Sequence, residues 1–266
     1  MRAIRAVLIF LVGAAVSLTL TYVLVVRPRV RGWGVDPAEI ELELPGDELI
    51  PEPTAIETHG VTIDGPISGV WPYLVQMGFG RAGWYSYDML DNKGKSAEGI
   101  VPEFQHLDAG DVMPVAPGGG FVVKTVDFER SLVLYTDTQT VREQAEKAQA
   151  EGTDQLPTSG MKFTGAMTSS YPEFSASWAF YLKPTDDGKT RLIERFRVKT
   201  PGNAPANAVL GEVMGTGIIL MTRKQMLRIK ELVEKPTETP EAEAAAPEVP
   251  PTQAVPITPT EPSLAS

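Results

Sequence analysis

Residues 174–200 read FSASWAFYLKPTDDGKTRLIERFRVKT, two alternating runs on either side of a turn. In the first, Phe174, Ala176, Trp178 and Phe180 share one face. In the second, Leu192, Glu194, Phe196 and Val198 share one face, and Arg191, Ile193, Arg195 and Arg197 share the other. Period-two alternation predicts strands with two different environments, and TDDGK between them is hairpin chemistry. From about residue 204 to residue 234 the period changes: Leu210, Val213, Met214, Gly217, Leu220, Met221 and Leu227 fall mostly on one helical stripe. Methionine gives such a stripe an adaptable surface, although ordinary core packing explains the stripe as well.

Upstream, GDVMPV, GFVVKTVDF and SLVLYTD read as short strands, and APGGG (116–120) as a flexible loop or hairpin between the first two. AIETHGVTID (55–64) alternates imperfectly and predicts an edge strand. PISGVWPYLVQMG (66–78) predicts a helix with Val70, Trp71, Leu74 and Val75 inward, started by Pro66 and stopped by Gly78. A polar helix, VREQAEKAQAEG, opens a long insert at residues 138–172 and carries a Glu143–Lys147 pair at favourable spacing. Strands followed by one long helix make the class α+β.

The flanks differ in kind. VLIFLVGAAVSLTLTYVLVV (7–26) has no charged residue and is long enough to cross a hydrocarbon core. It ends in Tyr22-Val-Leu-Val-Val-Arg-Pro, a poor cleavage site, so an uncleaved single-pass anchor is expected rather than a removed signal. Arg2 and Arg5 before it oppose Arg27, Arg29 and Arg31 after it, which leaves the positive-inside rule no bias. Residues 27–53 are read as linker and lead-in to a domain over 54–235. From Pro236 the chain is rich in Pro, Ala, Thr and Glu without aromatics, a composition that predicts a disordered tail, with an acidic partner-binding role as the lesser alternative.

The chain holds 24 basic and 34 acidic side chains, a net charge of -10. Glu238, Glu241, Glu243, Glu248 and Glu261 of the tail supply half of that excess, and no basic stripe suggests nucleic acid. The lack of cysteine excludes disulfides, thiolate nucleophiles and Cys-held metals. With His59 and His106 as the only imidazoles, a multi-histidine metal site is not expected either, and neither metal nor cofactor is assigned.

QMGFGRAGWYSYDMLDN (76–92) mixes glycine, aromatic rings and isolated charges in a way that core elements seldom do. With its flanks (WPYLVQMGFGRAGWYSYDMLDN, IVPEFQHLDAGDVMPVAPGGGFVV and SWAFYLKPTDDGKTRLIERFR) it resembles the SRPBCC superfamily, in particular the START-like, polyketide cyclase/dehydrase and lipid-transport group. The lead-in WGVDPAEIELELPGDELIPEP fits the same group. The resemblance spans roughly residues 33–234 and is most specific over residues 71–88. It implies a helix-grip fold, a curved antiparallel sheet around the long C-terminal helix, with an apolar cavity between them. It also implies a gate of Arg81, Trp84, Tyr85, Tyr87 and Asp88, a second rim at APGGGF ending in Phe121, and cavity positions at Trp178, Met214 and Met221. The chain departs from the group's pattern at Met89, at Gly99 and in the length of its insert.

Three functions follow as expectations. The favoured one is a membrane-anchored carrier of a small hydrophobic ligand, lipid-like or polyketide-like. The second is a cyclase/dehydratase-type enzyme with Asp88 or His106 as candidate base. Capping explains Asp88 and surface exposure explains His106 without catalysis. The third is a membrane-tethered interaction module using the acidic tail. No phosphate loop or nucleophile elbow is present: APGGGF lacks the Lys-Ser/Thr that a phosphate loop requires.

Overall fold

The computed structural model describes residues 2–92, 94–151, 173–200 and 205–235. The expected tail beyond Lys235 and residues 152–172 of the insert lie outside the described residues. Strands β1 (Ala55–Ile63), β2 (Val112–Ala116), β3 (Gly119–Asp127), β4 (Ser131–Asp137), β5 (Ser175–Pro184) and β6 (Thr190–Lys199) form one open antiparallel sheet in the order β1-β6-β5-β4-β3-β2. The class is α+β. The hairpin of residues 174–200 pairs Trp178 with Phe196 and Phe180 with Glu194, and Gly188 takes the positive φ of 79° that its turn needs.

Counting α1 (Arg2–Thr21), α2 (Arg27–Arg31), α3 (Pro37–Glu41), α4 (Ile67–Val75), α5 (Asp88–Asp91) and α6 (Thr138–Ala150), the long C-terminal helix is α7 (Pro205–Glu234). Helix α7 packs along β1 and against α4, and α4 also meets β5. Their shared core includes Ile63, Leu74, Met77, Leu192, Met226 and Ile229, all essentially excluded from solvent. Helix α6 starts three residues before the expected Val141, because Asp137 caps it by accepting from the Thr140 N–H at 2.7 Å. The anticipated Glu143–Lys147 pairing is replaced by Gln139 donating to Glu143 and by Lys147 facing Glu151 at 4.0 Å.

The sheet's other face is covered by part of the stretch read as a linker, residues 36–50. Asp36 and Glu39 close a reciprocal capping box at the start of α3. Leu44 and Ile50 are buried beneath the stretch. Arg195 of β6 is 3 % exposed at its side chain and donates to the carbonyls of Glu39, Ile40 and Leu42, to Thr58 Oγ1 and to Asp47. Arg197 also meets Asp47, at 3.1 Å, and Arg191 grips Glu39 with two nitrogens. Gly34 (φ 75°) lies so close to β1 that an added Cβ would sit 2.1 Å from the Gly60 carbonyl oxygen. The outward arginines of the alternating run therefore face a strap rather than water.

Before the strap, helical backbone runs unbroken through α1, a π-helical stretch (Tyr22–Val26) and α2. Phe10, Val12, Leu18 and Leu24 on it are more than half exposed. Among the described residues no single helix is long and apolar enough to cross a membrane.

Candidate functional site

The inner faces of β5 and β6 carry alternating rings, and the register gathers them around Trp178. Trp84 stacks on Trp178 at 5.1 Å and 12° between planes. Phe121 and Phe196 meet it edge-on at 5.6 and 6.0 Å, and Phe180 lies tilted at 5.2 Å. Trp84 is held by donating its indole N–H to the Pro114 carbonyl at 3.0 Å. Trp178, Phe121 and Phe196 are only half-buried, so the cluster forms a floor rather than a closed core.

A polar group lies beside that floor. Trp178 donates its indole N–H to Glu194 Oε1 at 2.5 Å. Glu194 is 1 % exposed, and burial pushes its carboxyl up to about 8. Donation from Trp178, with the Thr222 hydroxyl alongside, pulls the value partly back, and the neighbouring Glu57 raises it. His59 pairs with Glu194 across the β1–β6 ladder. Burial depresses its imidazole to about 4, against a hydrogen bond to the Val30 carbonyl. Glu57 lies two residues before it, opposite Phe196 and reaching toward Gly215 of α7. Gln225, one turn beyond Thr222, is likewise buried.

These shifts predict an unusual stability profile. Between 4.5 and 8 the unfolded chain releases the Glu194 proton while the folded chain keeps it, so stability falls as pH rises. Between 4 and 6.5 the unfolded His59 holds a proton that the folded one lacks, so stability rises. The two slopes oppose each other up to 6.5 and leave a net decline from 6.5 to 8. Glu194→Gln should abolish that decline and unmask a rise below 6.5 that the two opposed slopes hide in the parent. Urea unfolding midpoints across this range check it, and identical profiles for the two proteins would refute it.

The other sequence-picked residues separate by role. Arg81 is half-buried, donates to the carbonyls of Val75 and Phe104, and lies over the Phe104 ring. Tyr85 is buried at a positive φ of 59°, receives a hydrogen bond from Gln76, and has its phenol pushed up to about 12 by burial. Asp88 opens α5 and accepts from Ser96 Oγ at 2.5 Å, and Ser96 in turn accepts from the Tyr85 N–H. These three knit the 76–101 loop together. Tyr87 is exposed with the Lys224 ammonium 4.0 Å above its ring. His106 is 86 % exposed and pairs with Asp108. Met221 is half-buried on α7, while the side chain of Met214 lies outside the described residues. The structure thus gathers Trp84, Phe121 and Trp178 into one place.

Sequence reasoning missed Glu194, Glu57 and His59. The signal was present in the opening hairpin, where a carboxylate alternates with Leu192 and Phe196 on the inward face. Elsewhere, a surface cleft of about 580 Å³ is lined by Thr62, Asp64, Lys189, Lys230 and Glu234. Lys230 and Glu234 pair within it, and its walls are polar.

No family model matches the chain and no curated protein matches it. Solved structures similar to it include a hypothetical protein of Helicobacter pylori, 10 % identical, covering 71 % of this chain and 94 % of that one at a TM-score of 0.40. A Nitrosospira multiformis protein is 10 % identical, with coverages of 68 % and 97 % and a TM-score of 0.36. A conserved protein of Geobacillus kaustophilus is 13 % identical, with coverages of 67 % and 95 % and a TM-score of 0.30. Likenesses at this level carry no argument about function.

Proposed function

We propose that this chain is a membrane-anchored carrier of a small hydrophobic ligand, with an SRPBCC-type helix-grip cavity between the sheet and α7. The observation that carries the reading is the aromatic floor around Trp178, half-buried and bordered by a few oriented polar groups. Ligand sites are built this way, mostly apolar with sparse polar atoms that set orientation. The order of the elements, six antiparallel strands before one long helix along β1, supports the helix-grip reading. The exposed apolar residues of the Arg2–Arg31 helical run support the anchor, for which the proposed span is residues 7–26. Tethering a carrier to the bilayer raises its effective concentration where apolar ligands are stored.

The test is native mass spectrometry with solvent extraction on the full chain, purified from its host into lipid nanodiscs. A recurrent apolar mass beyond the disc lipid, lost in Phe121→Asp, is the expected result. A clean apo mass that also refuses added lipids, fatty acids and isoprenoids would sink the carrier.

One observation favours a second reading, the cyclase/dehydratase-type enzyme: Glu194 holds its proton to about pH 8 beside a neutral imidazole. Such a pair supplies a donor and an acceptor for carbonyl chemistry. Turnover of a poly-carbonyl substrate, lost in Glu194→Gln with ligand binding retained, would decide for it.

A further inference from the structure

The polar group beside the floor is lopsided. Glu194 Oε2, His59 Nε2 and Gln225 Oε1 are buried with no hydrogen-bond partner among the described residues. Each is an acceptor once Glu194 has released the proton it holds to about pH 8. His59 uses its other nitrogen on the Val30 carbonyl, so Nε2 carries the lone pair. Gln225 spends its amide N–H on Met77 Sδ at 3.2 Å, which leaves its carbonyl oxygen over. Buried polar atoms are nearly always satisfied, and an unsatisfied group calls for an explanation.

No cation of the chain fills that role among the described residues. Arg195 points to the opposite face, into the strap. On α7, Arg223 lies over the Trp33 ring and Lys224 over the Tyr87 ring. The groups that act on Glu194 are the Trp178 indole, the Thr222 hydroxyl and the Glu57 carboxyl. The interior therefore collects carboxyl groups and lone pairs against aromatic rings, whose faces are themselves negative.

We propose that Glu194, His59 and Gln225 bind the primary ammonium group of an amphiphilic ligand whose apolar body lies on the Trp84–Trp178–Phe121–Phe196 floor. An ammonium brings an N–H donor for each open acceptor and a charge that compensates Glu194. A hydroxyl head has a single donor and no charge, and a carboxylate head is repelled. The ring faces add a cation–π contribution to the same head group. This inference rests on the carrier reading and specifies what it carries.

The experiment uses the full chain in zwitterionic nanodiscs at pH 9, where Glu194 is ionised and octylamine is still an ammonium, with empty discs as blanks. Octylamine, octanol, octanoate and octyltrimethylammonium are titrated and followed by tryptophan fluorescence. Octylamine is expected to bind at least tenfold more tightly than the other three. Glu194→Gln, which keeps the shape of the side chain, should bring octylamine down to the affinity of octanol and leave octanol unchanged. Gln225→Leu should weaken octylamine alone, by severalfold. Octanol or octanoate binding as tightly as octylamine overturns the ammonium site while the carrier survives. Octyltrimethylammonium binding equally well also overturns it, because that head has no N–H to donate. Failure of every amphiphile to bind overturns the carrier together with the inference. Loss of octanol along with octylamine in Glu194→Gln, with an unchanged circular dichroism spectrum, overturns the assigned role of Glu194.

Discussion

Arg195→Ala is expected to destabilise the domain by about 3–5 kcal/mol, the range for stripping one partner from a buried ion pair. The substitution removes the donor to three strap carbonyls, to Thr58 Oγ1 and to Asp47, and all of these stay behind, most of them part-buried. The exposed Arg130–Asp127 pair, at 3.7 Å, is the control, and Arg130→Ala should cost less than about 0.5 kcal/mol. Urea unfolding measures both. The strap should also become open to proteolysis within residues 36–50 in the Arg195 variant. A loss no larger than that of the Arg130 control would mean that the strap is held by Leu44 and Ile50 rather than by the arginines.

Trp178→Ala is the second large effect. It deletes a ring in contact with Trp84, Phe121, Phe180 and Phe196, and leaves Glu194 Oε1 without its indole donor. Aromatic truncation in packed surroundings costs about 3–5 kcal/mol. Trp178→Phe separates the two causes. It retains most of the ring contact but raises the Glu194 carboxyl further, because donation from Trp178 lowers it. The pH-dependent decline in stability should therefore continue to a higher pH in Trp178→Phe than the value of about 8 at which it ends in the parent chain. Carboxyl titration by NMR reads this directly, and an unmoved Glu194 would show that the indole bond is energetically idle.

The fold was legible where one residue pattern had one physical meaning. The alternation across residues 174–200, the TDDGK turn and the long periodic helix each specify local geometry, and the sheet follows from them. The strap was not legible. Its sequence is acidic and proline-marked, as linkers are, and only the spatial position of Arg191, Arg195 and Arg197 turns those acids into anchors. The site was partly legible. Aromatic residues at 84, 121 and 178 announce themselves by type, whereas Arg81, Tyr85 and Asp88 look identical in sequence whether they line a cavity or tie a loop. Glu194 and His59 were overlooked because a single polar residue in an alternating strand reads as noise until its cross-strand neighbour is known.

The hydrogen bond from His59 to the Val30 carbonyl has a geometric consequence for the proposed anchor. Between Val26, where the uncharged run ends, and Val30 lie three residues, 27–29, and all of them are helical. At a rise of about 1.5 Å per residue the four steps from Val26 to Val30 give an offset of about 6 Å, comparable to the thickness of a lipid head-group layer. The domain would then stand on the membrane as a fixture with one permanent underside, not as a buoy on a line. Such a protein searches in two dimensions and exchanges cargo only with what drifts against it in its own leaflet. Supplying a second membrane would require that membrane to come to it.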